Sequence, residues 1–131
     1  MPADIHRIRV RYAETDQMAV AHHSAYVAWF EEARIAWLRN HGHSYKQLEE
    51  SGTIMPVVEL TIRYRKAARF DDELVLTTEA VAAGPSRVVF TTIITRGDDT
   101  LAEGTVTVAA VGRDGKPMRI PEGMRATFVP T

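Results

Sequence analysis

The densest group of residues that could carry out chemistry lies near the N-terminus, where Glu14, Thr15 and Asp16 are followed by His22 and His23. A carboxylate just before a helix start lies near free backbone N–H groups and the positive end of the helix dipole. Asp16 could therefore act as a nucleophile or a general base on a carbonyl that those N–H groups bind. Alternatively, Glu14 and Asp16 only satisfy loop amides or cap the helix. Residue spacing leaves both interpretations open.

Other kinds of site have weaker support. His22 and His23 could bind a metal together with Asp16, but no thiolate and no third spaced histidine accompanies them, so we expect no metal site. The chain has no cysteine, which excludes a cysteine nucleophile and is compatible with a cytoplasmic location. Sixteen Lys and Arg against 17 Asp and Glu give a net charge of −1, which argues against nucleic-acid binding. No apolar run approaches the roughly 20 residues of a membrane span.

The elements that must position these residues can be predicted from periodicity within 131 residues, a length that fits one domain. Alternation of apolar and arginine residues over 7–12 predicts a half-buried first strand. Helical spacing predicts a long helix from Ser24, as N-cap, to Asn40, with Gly42 as the left-handed residue beyond its end. We expect its apolar residues to form core rather than a base-stacking surface: Tyr26, Trp29, Phe30, Ala33, Trp37 and Leu38. Residues 44–51 indicate a second, short helix.

Four strands follow this helical region. Val58, Leu60, Ile62 and Tyr64 alternate with polar residues, and three further apolar segments over 74–81, 87–95 and 101–111 are separated by turn residues. Short connections predict that consecutive strands are antiparallel neighbours. The sequence therefore predicts an α+β fold with the long helix packed on one face of the sheet.

Four segments together resemble the hotdog-fold acyl-CoA thioesterases of the 4-hydroxybenzoyl-CoA thioesterase type, a branch that includes the Tol–Pal-associated thioesterases. They are 11–18, His22-His23, 26–34 and 64–74. The resemblance implies a single hotdog domain over 1–131, with a long helix on a five-stranded antiparallel sheet. It also implies hydrolysis of an acyl-CoA to a carboxylic acid and CoA without a cofactor. The enzyme would be a homodimer or homotetramer with active sites between subunits.

By the same resemblance, Asp16 is the catalytic carboxylate, which attacks the thioester carbonyl or activates the water that does. The helix-start amide near His23 polarises the carbonyl, while the His23 side chain and Tyr12 line the reacting end. The resemblance also names candidate substrate-binding residues. For the CoA phosphates these are Ser86 and Arg87, then Arg65 and Arg69; for the acyl pocket, reached from the partner subunit, they are Val57, Val58 and Glu59.

Three positions depart from the family pattern. Ala19 and Ala25 stand where Gly and Asn are common, and Ala67 replaces a frequent Pro. A methyl group is unfavourable if residue 19 needs a positive φ, and Ala25 removes a side-chain amide from the helix start. These departures motivate an alternative function, a noncatalytic module that binds an acyl-CoA or another small ligand on the same fold.

Overall fold

A computed structural model describes residues 4–128, which form one antiparallel sheet with a long helix across one face. The elements in chain order are β1 (Asp4–Arg9), α1 (His23–Asn40), α2 (Tyr45–Glu50), β2 (Val57–Tyr64), β3 (Glu73–Ala83), β4 (Arg87–Arg96), β5 (Asp99–Ala109) and α3 (Glu122–Arg125). A 3-10 turn over Tyr12–Glu14 lies between β1 and α1. The sheet order is β1-β3-β4-β5-β2. The predicted α+β fold with five antiparallel strands is confirmed.

The aromatic face of α1 forms the centre of the core. Trp29, Phe30 and Trp37 are each at most 3% exposed, and the Trp37 ring meets Phe90 of β4 edge to face at 5.9 Å. Burying such a side chain stabilises the fold by roughly 1.5–3 kcal/mol. The prediction that these residues are core is confirmed.

The start of α1 differs from the prediction. The helix begins at His23, one residue before Ser24, and the N-cap is His22, whose side chain makes no capping hydrogen bond. The chain before the helix is extended because His22 N donates to Glu14 O at 2.9 Å and Ala21 N donates to Ala68 O at 2.8 Å. Ser24 is therefore already inside the first turn. The predicted end is correct, with Gly42 at φ +87° just beyond the helix.

The order of the strands corrects a second expectation. β3–β4 and β4–β5 are antiparallel neighbours as predicted, but β2 does not lie beside β3. β1 occupies that position, and β2 pairs with β5 at the opposite edge. The connection 65–72 crosses three strand spacings, about 14 Å, which eight extended residues span easily at about 3.3 Å each. This crossing brings the connection to the start of α1, where Ala68 N donates to Tyr26 Oη at 3.1 Å.

A bulge near the start of β2 changes which residues face α1. Val57 pairs with Val108 and Glu59 with Thr107, so Val58 is an extra residue in the register. Val57 consequently points to the same face as Leu60, whose partner is Val106. Regular alternation predicted Val58 on that face instead, and this prediction is wrong at the bulge.

Ala19 adopts the conformation that its methyl group disfavours. Its φ is +65°, in the left-handed region where a Cβ costs about 1–2 kcal/mol. The surrounding turn is fixed by Asp16 N donating to Val20 O at 2.9 Å and Ala19 N donating to Asp16 O at 3.0 Å. The backbone expected for a glycine is thus retained with an alanine.

Ala19→Gly should raise the free energy of unfolding. The relieved strain is about 1–2 kcal/mol, and the entropy that glycine adds to the unfolded chain costs about 0.4–1 kcal/mol, so the net gain is up to about 1.6 kcal/mol. Chemical denaturation measures it. The matched control is Ala28→Gly on the exposed side of α1, which should lower stability by about 1 kcal/mol. Equal losses in both variants would contradict the strain at Ala19.

Gly104→Ala should be strongly destabilising, because α1 approaches β5 too closely for a side chain there. A Cβ at residue 104 would lie 2.5 Å from the Cζ of the buried Phe30 ring. Overpacking of this kind costs about 1–3 kcal/mol or more. Thermal or denaturant unfolding measures the loss. Gly123→Ala in α3, where no atom lies within 4 Å of the added Cβ, is the control and should not destabilise the protein.

Candidate active site

A cleft of about 210 Å³ opens where the start of α1 meets the end of β2 and the connection 65–72. Its lining comes from three separate parts of the chain: Val20 and Ala21, then His23 and Tyr26, then Tyr64, Arg65, Lys66 and Ala67. The crossing from β2 to β3 is what joins them. The sequence does not indicate Tyr26 or Tyr64 as site residues, because their assembly depends on the strand order.

Asp16 lies in the turn beside this cleft with one carboxylate oxygen bound and one unbound. Thr15 pairs with Ala21, and Asp16 N donates to Val20 O, which places Asp16 opposite a residue of the cleft lining. Asp16 Oδ1 accepts hydrogen bonds from Met18 N at 2.8 Å and Val20 N at 3.4 Å. Within residues 4–128 nothing donates to Oδ2, and the residue is exposed. The turn orients the carboxylate and leaves one oxygen available to a ligand.

The first amides of α1 are also available. In the described part of the chain, neither His23 N nor Ser24 N donates to a protein acceptor, and the N-cap side chain supplies none. These N–H groups lie at the positive end of an 18-residue helix. Such a helix start can stabilise an oxygen on which negative charge develops.

The His23 ring forms one wall of the cleft. It stacks on Tyr64 with ring centroids 4.5 Å apart, and Tyr64 in turn meets Tyr26 edge to face at 5.0 Å. Burial and the neighbouring Tyr26 raise the pKa of the Tyr64 phenol, so this ring is neutral near pH 7. His23 is thereby placed against an uncharged aromatic surface.

Glu14 connects the loop before α1 to the helix through hydrogen bonds of its carboxylate. Its Oε1 accepts from Arg11 N at 2.7 Å, and its Oε2 accepts from Trp29 Nε1 at 2.9 Å. Burial opposes ionisation of this carboxyl, but the hydrogen bonds from Arg11 and Trp29 outweigh it and lower the pKa of Glu14. For Glu14 the structure matches the interpretation that it satisfies loop amides, with the Trp29 indole as an additional partner.

Three other predicted residues, Tyr12, Arg65 and Arg69, make contacts of their own. Tyr12 lies in the 3-10 turn, 78% exposed, with its ring edge to face against Phe70 at 5.5 Å, and it does not line the cleft. Arg65 lines the cleft, but its guanidinium donates to Glu103 Oε2 at 2.7 Å. Arg69 pairs with Val20 through the backbone at the edge of the loop.

The remaining predicted residues lie away from the cleft of their own chain. Ser86 and Arg87 are at the turn between β3 and β4, the length of β3 (roughly 33 Å) from the end where the cleft opens. Val57 lines a different pocket, Val58 is the extra residue of the bulge, and Glu59 points to the face opposite α1. A single chain therefore does not assemble the complete predicted site.

Two of the positions that depart from the family pattern, Ala25 and Ala67, lie in α1 and in the cleft. Ala25 is buried, with its N–H donating to His22 O at 3.0 Å, and Ala67 lines the cleft.

Across residues 4–128, no three His, Asp or Glu side chains form a group that could hold a metal ion. No helix in that range is long and apolar enough to cross a membrane.

Comparison with known proteins assigns the family. Residues 18–103 match the Thioesterase superfamily, a segment that begins just after Asp16. The chain is 35% identical over 123 residues to the acyl-CoA thioester hydrolase YbgC of Escherichia coli O6:H1, covering 92% of each protein. The Thermus thermophilus protein TT1821 has a similar structure, with a TM-score of 0.90 and 35% identity over 95% of each chain.

A further structural relative is the DHNA-CoA thioesterase of Staphylococcus aureus, with a TM-score of 0.86 and 31% identity over 91% of this chain and 81% of that one. These relatives confirm the predicted hotdog fold and the prediction of a thioester hydrolase, and they favour an enzyme over a noncatalytic module. This chain belongs to the Thioesterase superfamily.

Proposed function

We propose that this enzyme hydrolyses acyl-CoA thioesters to a carboxylic acid and CoA, with Asp16 as the catalytic carboxylate. The observation that carries the proposal is that an unbound Asp16 oxygen and free N–H groups at the start of α1 both lie at this cleft. The acyl-CoA substrate is supported by the name of the Escherichia coli relative.

The thioester carbonyl oxygen would accept a hydrogen bond from His23 N. As negative charge develops on that oxygen, this donor and the helix dipole stabilise it, by about 3–4 kcal/mol for one well-placed N–H. The His23 and Tyr64 rings then pack beside the reacting group and exclude water from one side.

Asp16 can complete the reaction in either of two ways. As a nucleophile, its free oxygen attacks the carbonyl carbon, the C–S bond breaks, CoA leaves as a thiolate, and water then hydrolyses the mixed anhydride. As a general base, it takes a proton from a water molecule that attacks the same carbon directly. Thiols have a pKa near 8.5, so a thiolate leaves readily and needs little protonation by the enzyme.

We also propose that two copies pair through the free edge of β2. Val57, Val58, Leu60 and Tyr64 are 37–46% exposed on this edge strand, which is unusually apolar for a surface that faces water. Antiparallel pairing about a twofold axis near Leu60 and Thr61 would bring the partner's Val57 beside Tyr64. This supports the expected contribution of 57–58 to the acyl pocket of the other subunit, whether the assembly is a dimer or a tetramer of two such dimers.

The same twofold axis supports the expected phosphate contacts. It would carry the partner's Ser86 and Arg87 to the end of the sheet where the cleft opens, three strand spacings, or about 14 Å, from β2. CoA is long enough to reach across this distance. Arg65, already bonded to Glu103, is less available for a phosphate.

The location and cofactor need are also proposals. The cysteine-free composition is compatible with the cytoplasm. A carboxylate, backbone amides and water are sufficient for the proposed reaction, so we infer that no cofactor takes part.

Asp16→Asn should abolish most of the turnover. An amide oxygen is a poor nucleophile and base, so kcat should fall about 10²–10⁴-fold. Release of free thiol from short-chain, long-chain and aromatic acyl-CoAs measures it. Asp98→Asn, in the exposed turn between β4 and β5, is the control and should retain the wild-type rate. Unchanged turnover in Asp16→Asn would rule out the assigned role, and no turnover of any thioester by the wild type would rule out the function.

Thr61→Glu should weaken the pairing of two copies. Thr61 lies at the middle of β2, so two glutamates would meet close to the twofold axis, and their repulsion should raise the dimer dissociation constant about fivefold or more. Sedimentation over a concentration series measures it, and thiol release should fall in parallel as monomer forms. Thr61→Ser is the control. A wild type that is fully active as a monomer would exclude a shared site.

A further inference from the structure

A second pocket lies beside α1, and the buried, charged side chain of Arg34 forms part of its wall. It has a volume of about 120 Å³ between α1 and β2. Four apolar side chains and two charged ones line it: Val27, Val57, Leu60 and Val106, then Glu31 and Arg34. We call it the Arg34 pocket.

The Arg34 guanidinium has no hydrogen-bonding partner among residues 4–128. The residue is 7% exposed, and its nearest carboxylate oxygen, Glu31 Oε2, is 3.9 Å from Nη2, beyond hydrogen-bonding distance. The Glu31 side chain is 64% exposed, so water solvates it and weakens this ion pair. Burial lowers the pKa of Arg34, and the charge of Glu31 opposes that change, but an arginine stays protonated.

The Arg34 guanidinium keeps a small exposure at its nitrogens, at the pocket that it borders. It carries five N–H donors in a rigid fork, and burying a charge is unfavourable unless hydrogen bonds compensate it. The pocket is the open volume that these donors border. An acceptor placed there would satisfy them.

The Arg34 pocket and the catalytic cleft lie on the same face of α1, between the helix and β2. His23, Val27, Glu31 and Arg34 follow spacings of four, four and three residues, so they lie on one face of α1. The Cα of Arg34 is about 16 Å along the helix from that of His23, and long helical side chains lean towards the N-terminus, which shortens the gap. β2 forms the other wall, with Tyr64 at His23 and Leu60 and Val57 at the Arg34 pocket.

We propose that the Arg34 pocket binds the far end of the acyl group and that Arg34 selects acyl chains ending in a carboxylate. This rests on the proposed function, since the thioester carbonyl must lie at His23. A carboxylate accepts two parallel hydrogen bonds from a guanidinium, a geometry that Glu31 does not supply at 3.9 Å. Glu31 can turn into water, while Val27 and Leu60 contact the methylene chain.

The size of the pocket agrees with this ligand. At about 30 Å³ for each water-sized group, 120 Å³ holds about four such groups, which is a carboxylate and one methylene. A hydroxyl at the end of the chain could instead bridge Arg34 and Glu31. The experiment must therefore distinguish acyl chains that end in a carboxylate from those that end in a hydroxyl.

The experiment compares CoA thioesters of equal chain length that end in a methyl, a hydroxyl or a carboxylate group. We expect wild-type kcat/KM to be highest for the carboxylate-ended series. Arg34→Met should lower the carboxylate-to-methyl ratio by about 10–100-fold, mainly through KM, because charge-assisted hydrogen bonds are lost. Glu31→Gln should raise the ratio, because it removes the competing carboxylate, and it tests the proposal even if Arg34→Met does not fold.

The matched control is Arg39→Met, the same substitution at an exposed position in the last turn of α1. It should leave the ratio unchanged, and thermal unfolding confirms that each variant is folded. A wild type that prefers methyl-ended or hydroxyl-ended chains would overturn the proposal. So would an unchanged ratio in Arg34→Met, and an accompanying shift to monomer would show that Arg34 pairs across the subunit interface instead. In each case thiol release that depends on Asp16 would leave the proposed function intact.

Discussion

The contact between the Phe30 ring and the bare backbone of Gly104 sets how closely α1 lies on the sheet. A rigid helix fixed at its middle has both of its functional regions fixed as well. Its first amides open onto the cleft, and Arg34, one turn beyond Phe30, lies under the edge of β2. The height of both the proposed reaction centre and the proposed end of the acyl pocket above the sheet therefore depends on one close packing contact in the core.

Two loops outside the sheet depend on each other for their positions. Val10 N donates to Asp72 O and Asp71 N donates to Val10 O, both at 2.9 Å, and Ala21 N donates to Ala68 O. The connection 65–72 thus serves as the backbone partner for the loop that carries Asp16. Glu14 adds the link to Trp29 of α1. This explains how an exposed carboxylate can be placed accurately without belonging to a strand or a helix.

The parts of this fold that could be predicted from sequence are those with strong local periodicity. α1 and the strands have runs of apolar residues whose spacing reveals their faces. The position of β2 could not be predicted in this way, because it depends on β1 taking the place beside β3, a competition between distant segments. The bulge at Val58 is hidden for a similar reason, since only the pairing with Val108 and Thr107 reveals the extra residue.

The functional site likewise combines residues that the sequence identifies with features that only the folded chain shows. Asp16 and His23 could be found from residue type, order and family resemblance, but the unbound Oδ2 and the uncapped amides are properties of the folded loop. The sequence predicts Ser24 as the N-cap, and a capping side chain would have occupied helix amides that a ligand can bind. The sequence also carries a signal for Arg34. It is four residues after Phe30 and three before Trp37, which places a charge on the buried face of α1.

The two edges of the sheet are chemically different. β2 ends the sheet with exposed valines and a leucine, whereas the six described residues of β1 present the exposed arginines Arg7 and Arg9 beside one exposed isoleucine, Ile5. Short, charged edge strands resist the addition of further strands. Growth by strand pairing is consequently possible in one direction only. Once two β2 edges meet, both outer borders are arginine-bearing β1 strands, so such an assembly is finite and protected from extending into a fibre.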